Sequence, residues 1–150
     1  LHYPLRRQRQ MCIRDRAGDE SEIFTPGQTL HTIDTEFGHV GNAVCWDMQF
    51  PETARNLAKM GTDLIVCPTW GWEWIYGPAR AYENGIFVAA AMAVPYWMPI
   101  EDLRRPSMVI SPDGKILVEG PTDKAAIVYC EIDDIHCKQS REFRLNTPLN

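Results

Sequence analysis

The chain has no apolar run that could cross a bilayer. A span needs roughly 17–25 residues, and the longest apolar stretch, residues 85–95, falls well short. It has no apolar segment near its start of the kind a secretory signal carries, since residues 1–16 are rich in Arg and Gln, so a cytoplasmic location is expected. Positive charge is in deficit: 15 Lys and Arg face 20 Asp and Glu, a formal net charge of -5, which argues against a nucleic-acid or anionic-membrane partner. The cysteines lack a regular spacing. Cys12, Cys45, Cys67, Cys130 and Cys137 are odd in number and do not describe a disulfide framework. Cys130, His136 and Cys137 could seed a metal or thiol-redox site, but no second paired-cysteine motif is there to close one around zinc. No metal and no cofactor are expected. Internal repeats and low-complexity tracts are also missing.

The 150 residues that remain to be explained suit one domain of ordinary globular composition, 45% hydrophobic and 23% charged. Charge is uneven along them. Residues 1–16 hold five arginines and one aspartate, a net +4, which leaves -9 on the remainder. A basic arm is one reading. The string Met11-Cys12-Ile13-Arg14-Asp15-Arg16 instead resembles translated adapter sequence at the end of a gene fragment, so residues 1–16 are expected to be non-native and 17–150 to carry the domain.

From Thr29 onward strands and helices alternate. Leu30 and Ile33 among polar neighbours predict a strand over 29–35, and Glu36-Phe37-Gly38-His39 a tight turn into a second strand, Val40 to Cys45. Pro51 suits the first turn of a helix whose apolar face is Ala54, Leu57, Ala58 and Met60, stopped by Gly61. Asp63 to Cys67 predicts a buried strand ending at Pro68. Gly77-Pro78 opens a helix over 79–84, and residues 86–93 read as a strand covered on both faces. Residues 95–106 predict a long loop, and Ser107–Ser111 and Ile116–Glu119 a hairpin around Asp113-Gly114. Ala125 to Ile132 predicts a final strand, followed by a short helix and a tail. The alternation is that of an α/β fold.

A cysteine at the end of a buried strand, leading into a turn and a helix N-terminus, is well placed to be a nucleophile. The helix dipole and free backbone N–H groups favour a thiolate and a developing oxyanion. Taken alone, such a cysteine is more often an inert buried thiol. Its surroundings are specific, however. Cys45-Trp46-Asp47-Met48-Gln49-Phe50-Pro51-Glu52 resembles the Cys-x-Asp-x-x-Phe-Pro-Glu signature of the nitrilase superfamily. Gly38-His39-Val40-Gly41 is similar to that family's lead-in strand, Gly61 to Pro68 to its next strand, and Ala79-Arg80-Ala81-Tyr82-Glu83-Asn84 to its Ala-Arg-Ala-x-Glu-Asn helix. Pro112-Asp113-Gly114 and Cys130-Glu131-Ile132-Asp133 extend the resemblance, in order, over residues 20–141.

The resemblance implies the second half of a four-layer αββα sandwich and hydrolysis of non-peptide C–N bonds in a small amide through a cysteine thioester. Cys45 would be the nucleophile and the Trp46 backbone N–H an oxyanion donor. Asp47, Glu52 and Arg55 would support the elbow, and Arg80, Glu83 and Asn84 would share one helix face at i, i+3, i+4 spacing. Trp70, Trp72, Trp74 and Tyr76 could wall an apolar pocket or equally pack a loop or dimer surface. Met48 and Gln49 stand where carbamoyl-amino-acid hydrolases of the family have arginines, which disfavours a carboxylate-bearing substrate at that site. Homo-oligomers are the family habit.

The departures concern the other catalytic residues. The family's triad is Glu–Lys–Cys, and this chain has no lysine before Lys59. The general-base Glu of the family lies further upstream than 44 residues allow, and Glu20 or Glu22 could correspond only to an accessory acid. The chain is therefore expected to be inactive as given. A non-catalytic, fold-retaining interaction or structural fragment is the alternative. Either way, the sheet face that the other half would cover should be exposed.

Overall fold

In the computed structural model, which describes residues 29–70, 75–93 and 106–146, one sheet is built from β1 (Thr32–Thr35), β2 (Gly38–Asn42), β3 (Leu64–Thr69), β4 (Phe87–Met92), β5 (Met108–Ile110) and β6 (Ile116–Glu119), in that spatial order. The outer pairs are antiparallel hairpins, while β2, β3 and β4 run parallel. Each parallel step crosses over through a helix: α1 (Pro51–Lys59) between β2 and β3, and α2 (Tyr76–Asn84) between β3 and β4. A third helix, α3, spans Asp134–Asn146. The expected α/β alternation is present.

The sequence explains these elements locally. Pro51 sits in the first turn of α1, where its missing N–H costs nothing, and Ala54, Leu57 and Ala58 are the buried stripe at i, i+3, i+4. Removing Leu57 from water contributes about 2 kcal/mol. Gly41 lets α1 approach the sheet, because a Cβ there would meet Leu57 and Thr62 atoms at 3.0 Å. Gly85 ends α2 in the left-handed region at φ 63, and a Cβ would lie 2.4 Å from the Arg141 backbone nitrogen of α3.

The two faces of the sheet differ. Ile65, Cys67, Val88, Ala90, Met108 and Ile110 point toward the helices and form the core with Leu57, Ala81 and Cys137. On the other face Val40, Leu64, Val66, Ala89, Val109 and Val118 line up across the register and are only half-buried, while Phe87 beside Leu64 is buried.

Four expectations need correction. β2 stops at Asn42 rather than reaching Cys45, because the chain already turns into a 3-10 helix, Cys45–Gln49. β3 continues through Pro68 to Thr69. Its alternation aims the backbone groups of 63 and 69 at β4 and those of 66 at β2, so Pro68 points to the side where β2 has already ended and costs no ladder bond. Residues 125–132 form no strand; they have the alternation but no partner among the described residues, and Ile127 and Tyr129 are 79% and 84% exposed. The final helix is not short. Asp133 caps it by accepting from the N–H groups of Ile135 and His136, and Cys137 and Arg141 anchor it one turn apart. The expected non-native segment 1–16 and the loop at 95–105 lie outside the described residues.

Candidate active site

The feature that sets Cys45 apart is its backbone. Its φ is 49, the single positive value of a non-glycine among the described residues. A side chain costs roughly 1–2 kcal/mol in that region, so the surroundings must hold it there. The residue is half-buried at the carboxyl end of a parallel strand, where α/β sheets place their ligand sites, and Trp46 beside it is 45% exposed.

Three neighbours fix the turn. Asp47, 6% exposed, accepts from the Val44 N–H at 2.9 Å while its own N–H donates to the Val44 carbonyl at 3.0 Å. Burial raises the Asp47 pKa above 3.8; the Val44 bond opposes this and the adjoining Cys45 adds to it. Cys67, buried on β3, contacts the Cys45 backbone by a hydrogen bond, and burial pushes its thiol up to about 12. Arg80 of α2 donates from Nε to the Met48 carbonyl at 3.0 Å and from Nη2 to the Gln49 carbonyl at 2.8 Å.

The expected helix-face residues do come together: Arg80 Nη1 lies 3.0 Å from Glu83 Oε1, and Asn84 Nδ2 donates to the Arg80 carbonyl at 2.9 Å. Arg55 of α1 donates to the Glu83 carbonyl at 2.9 Å, joining the two helices rather than touching the turn. Glu52 is exposed in the first turn of α1. Met48 is fully buried in the core and is not a surface a substrate could meet. Trp70 is half-buried just beyond β3, whereas Trp72, Trp74, Glu20 and Glu22 lie outside the described residues.

The rival cysteine–histidine set is dispersed. Cys137 is in the core, its thiol donating to the Asp63 carbonyl at 3.3 Å with its pKa raised to about 11 by burial. His136 pairs with Asp113 at 3.1 Å, and Cys130 is half-exposed with its thiol on the Glu131 carbonyl, not buried in a strand. No group of three or more potential metal ligands occurs among the described residues, nor is any described helix long and apolar enough to cross a membrane. Reading the residues alone missed Cys67 as a neighbour of Cys45 and the reach of Arg80 to the turn. The one available signal was the pair of parallel strands ending side by side.

Residues 5–142 match the carbon-nitrogen hydrolase family. The chain is 33% identical over 144 residues to the human omega-amidase NIT2, covering 87% of this chain and 48% of that protein. It superposes on the crystal structure of Nit3 from Saccharomyces cerevisiae, a member of the nitrilase superfamily, with a TM-score of 0.67 and 29% identity, over 87% of this chain and 49% of that one. It is also similar (TM-score 0.57, 28% identity, 70% of this chain, 44% of the other) to a mutant of the amidase from Nesterenkonia sp. AN1 whose structure shows the result of Michael addition of acrylamide at the active-site cysteine. The chain spans about half the length of the curated relatives it matches.

Proposed function

The chain belongs to the carbon–nitrogen hydrolase family and has its α/β fold, and from that premise we propose that it carries the nucleophile elbow of an amidase-type enzyme acting on small amides. The observation that supports this most directly is the positive φ of Cys45, a strained residue at the carboxyl end of a parallel strand. In the proposed reaction the Cys45 sulfur attacks the amide carbonyl carbon, and the Trp46 N–H donates to the oxygen as it gains charge. The C–N bond breaks, the amine leaves with a proton, and water then hydrolyses the thioester. Asp47 and Arg80 would act by holding the turn rather than by touching substrate.

In this reading residues 17–150 are the C-terminal half of the catalytic sandwich, and residues 1–16 are not native to it. The half-buried apolar face of β2–β5 is then where the second sheet layer would pack. The intact enzyme would be a cytoplasmic homo-oligomer. Of the Glu–Lys–Cys triad that the family resemblance implies, the given residues match only the cysteine, so the chain as given is proposed to be modified at Cys45 without turning over.

Two readouts on one preparation test both parts. Limiting acrylamide followed by peptide mapping should modify Cys45 ahead of Cys67, Cys130 and Cys137. Ammonia release from short aliphatic and aromatic amides should equal that of a Cys45→Ala control. Even labelling of all cysteines would remove the nucleophile assignment. Turnover abolished by Cys45→Ala would remove the claim of inactivity and direct the search for a base to Glu20 and Glu22.

A further inference from the structure

The turn that carries Cys45 is only five residues long and ends in an extended Phe50, so the carbonyls of its last residues have no following helical turn to bond them. Arg80, 8% exposed and 31 or more positions away in sequence, fills that need with two separate nitrogens, on Met48 at 3.0 Å and Gln49 at 2.8 Å. The third nitrogen is held by Glu83 at 3.0 Å, and the Glu83 carbonyl is in turn held by Arg55. Every nitrogen of the guanidinium is thereby assigned, which leaves its plane one orientation. A lysine, with one compact ammonium in place of a rigid fork, could serve one of the two carbonyls well but not both.

At the other end of the same turn, the Val44 N–H is held by Asp47. Cys45 is thus strained between two fixed points. Loosening either one lets the backbone relax from φ 49 toward an ordinary conformation, which redirects the side chain. Whether a buried arginine matters to the nucleophile or only to packing turns on this coupling.

We propose that Arg80 is a positioning residue for Cys45, fixing the reactive conformation of the nucleophile through the Met48 and Gln49 carbonyls, with Glu83 fixing Arg80. This rests on the reading of Cys45 as the nucleophile.

The experiment is competitive acrylamide labelling of the chain, with Cys130, half-exposed and far along the sequence from the turn, as internal reference. Buried Cys67 and Cys137 report unfolding. In Arg80→Met the Cys45-to-Cys130 labelling ratio should fall about tenfold, because small misplacements of a reacting group cost that much or more, while Cys67 and Cys137 stay protected. Arg80→Lys should restore part of the ratio, which a role confined to bulk packing would not produce. An unchanged ratio in a folded Arg80→Met variant overturns the inference. If Cys67 and Cys137 become labelled, Glu83→Gln decides instead. It leaves both carbonyl bonds in place but weakens the hold on the guanidinium, so the ratio should fall by a smaller factor, and no fall overturns the inference. Should Cys45 label no faster than Cys130 in the unsubstituted chain, the nucleophile reading fails and the inference falls with it. Fast labelling that Arg80→Met does not alter removes the role of Arg80 alone.

Discussion

At the amino ends of the parallel strands, Asp63 accepts from the His39 N–H at 2.9 Å and pairs directly with Arg141 at 2.6 Å, while Arg141 also donates to the Thr62 carbonyl at 2.6 Å. At the carboxyl ends, Asp47 accepts from the Val44 N–H at 2.9 Å, and the arginine of that end, Arg80, is committed to Glu83 and to two carbonyls. Both ends use a buried aspartate on a neighbouring N–H and an arginine on backbone oxygens. In one the two charges cancel each other, and the positive-φ positions beside them, Gly38 and Gly61, are glycines without a Cβ penalty. In the other the aspartate stays beside a strained cysteine and its pKa rises. Pairing the charges builds a joint between β2, β3 and α3. Keeping them apart holds the turn while burial raises the Asp47 pKa, a perturbation of the kind that reactive sites show.

The largest expected effect lies at the paired end. Asp63→Ala strands the half-buried Arg141 guanidinium and leaves the His39 N–H without its acceptor, and should cost about 3–5 kcal/mol in urea unfolding. Cys45 labelling in the folded fraction should not change. A slower Cys45 in this variant would show that the two ends are coupled and break the comparison.

A smaller loss belongs to the elbow. Asp47→Ala leaves the Val44 N–H buried and unpaired, a cost of about 1–3 kcal/mol, whereas Asp47→Asn keeps an acceptor oxygen and should lose less. The pH dependence sharpens this. The folded chain holds the Asp47 proton more tightly than the unfolded chain does, because burial raises its pKa above 3.8. The stability this contributes is fully present below that value and is lost as pH rises through the raised one. Urea midpoints measured from about pH 4 to about pH 7 should therefore decline more steeply for the parent than for Asp47→Asn. Parallel curves would mean that the carboxyl is not perturbed.

The smallest effect is the strain itself. Cys45→Gly should be more stable than Cys45→Ala by about 1 kcal/mol, since only glycine occupies a positive φ without a Cβ penalty. Equal stabilities by thermal or urea unfolding would show that the turn relaxes once the sulfur is gone.

Much of the fold was open to reading residue by residue. Pro51, the apolar face and Gly61 bound α1 almost to the residue, although Met60, read as part of that face, caps the helix and is exposed. Asp113-Gly114 placed the β5–β6 turn, and the strand–cysteine–helix succession placed a turn at Cys45. The misreadings share a cause. Residues 125–132 have the alternation of a strand, yet a strand exists only as half of a pair. Pro68 looked like a terminator, yet its missing N–H matters only if another strand stands opposite. α3 looked short because its polar sequence hides anchors that bond to residues 52 to 79 positions away.

The same division runs through the site. Propensity, capping and turn chemistry act between residues a few positions apart, so the order of residues settled where the chain would turn and which thiol would stand at the turn. The pinning of Cys45 depends on Cys67 from the adjoining strand and on an arginine from the second crossover helix. Those contacts come into being only when α1 and α2 pack on the same side of β2, β3 and β4. A hydrogen bond between groups more than thirty residues apart carries no local signature, because what selects it is the burial of an otherwise unbonded carbonyl.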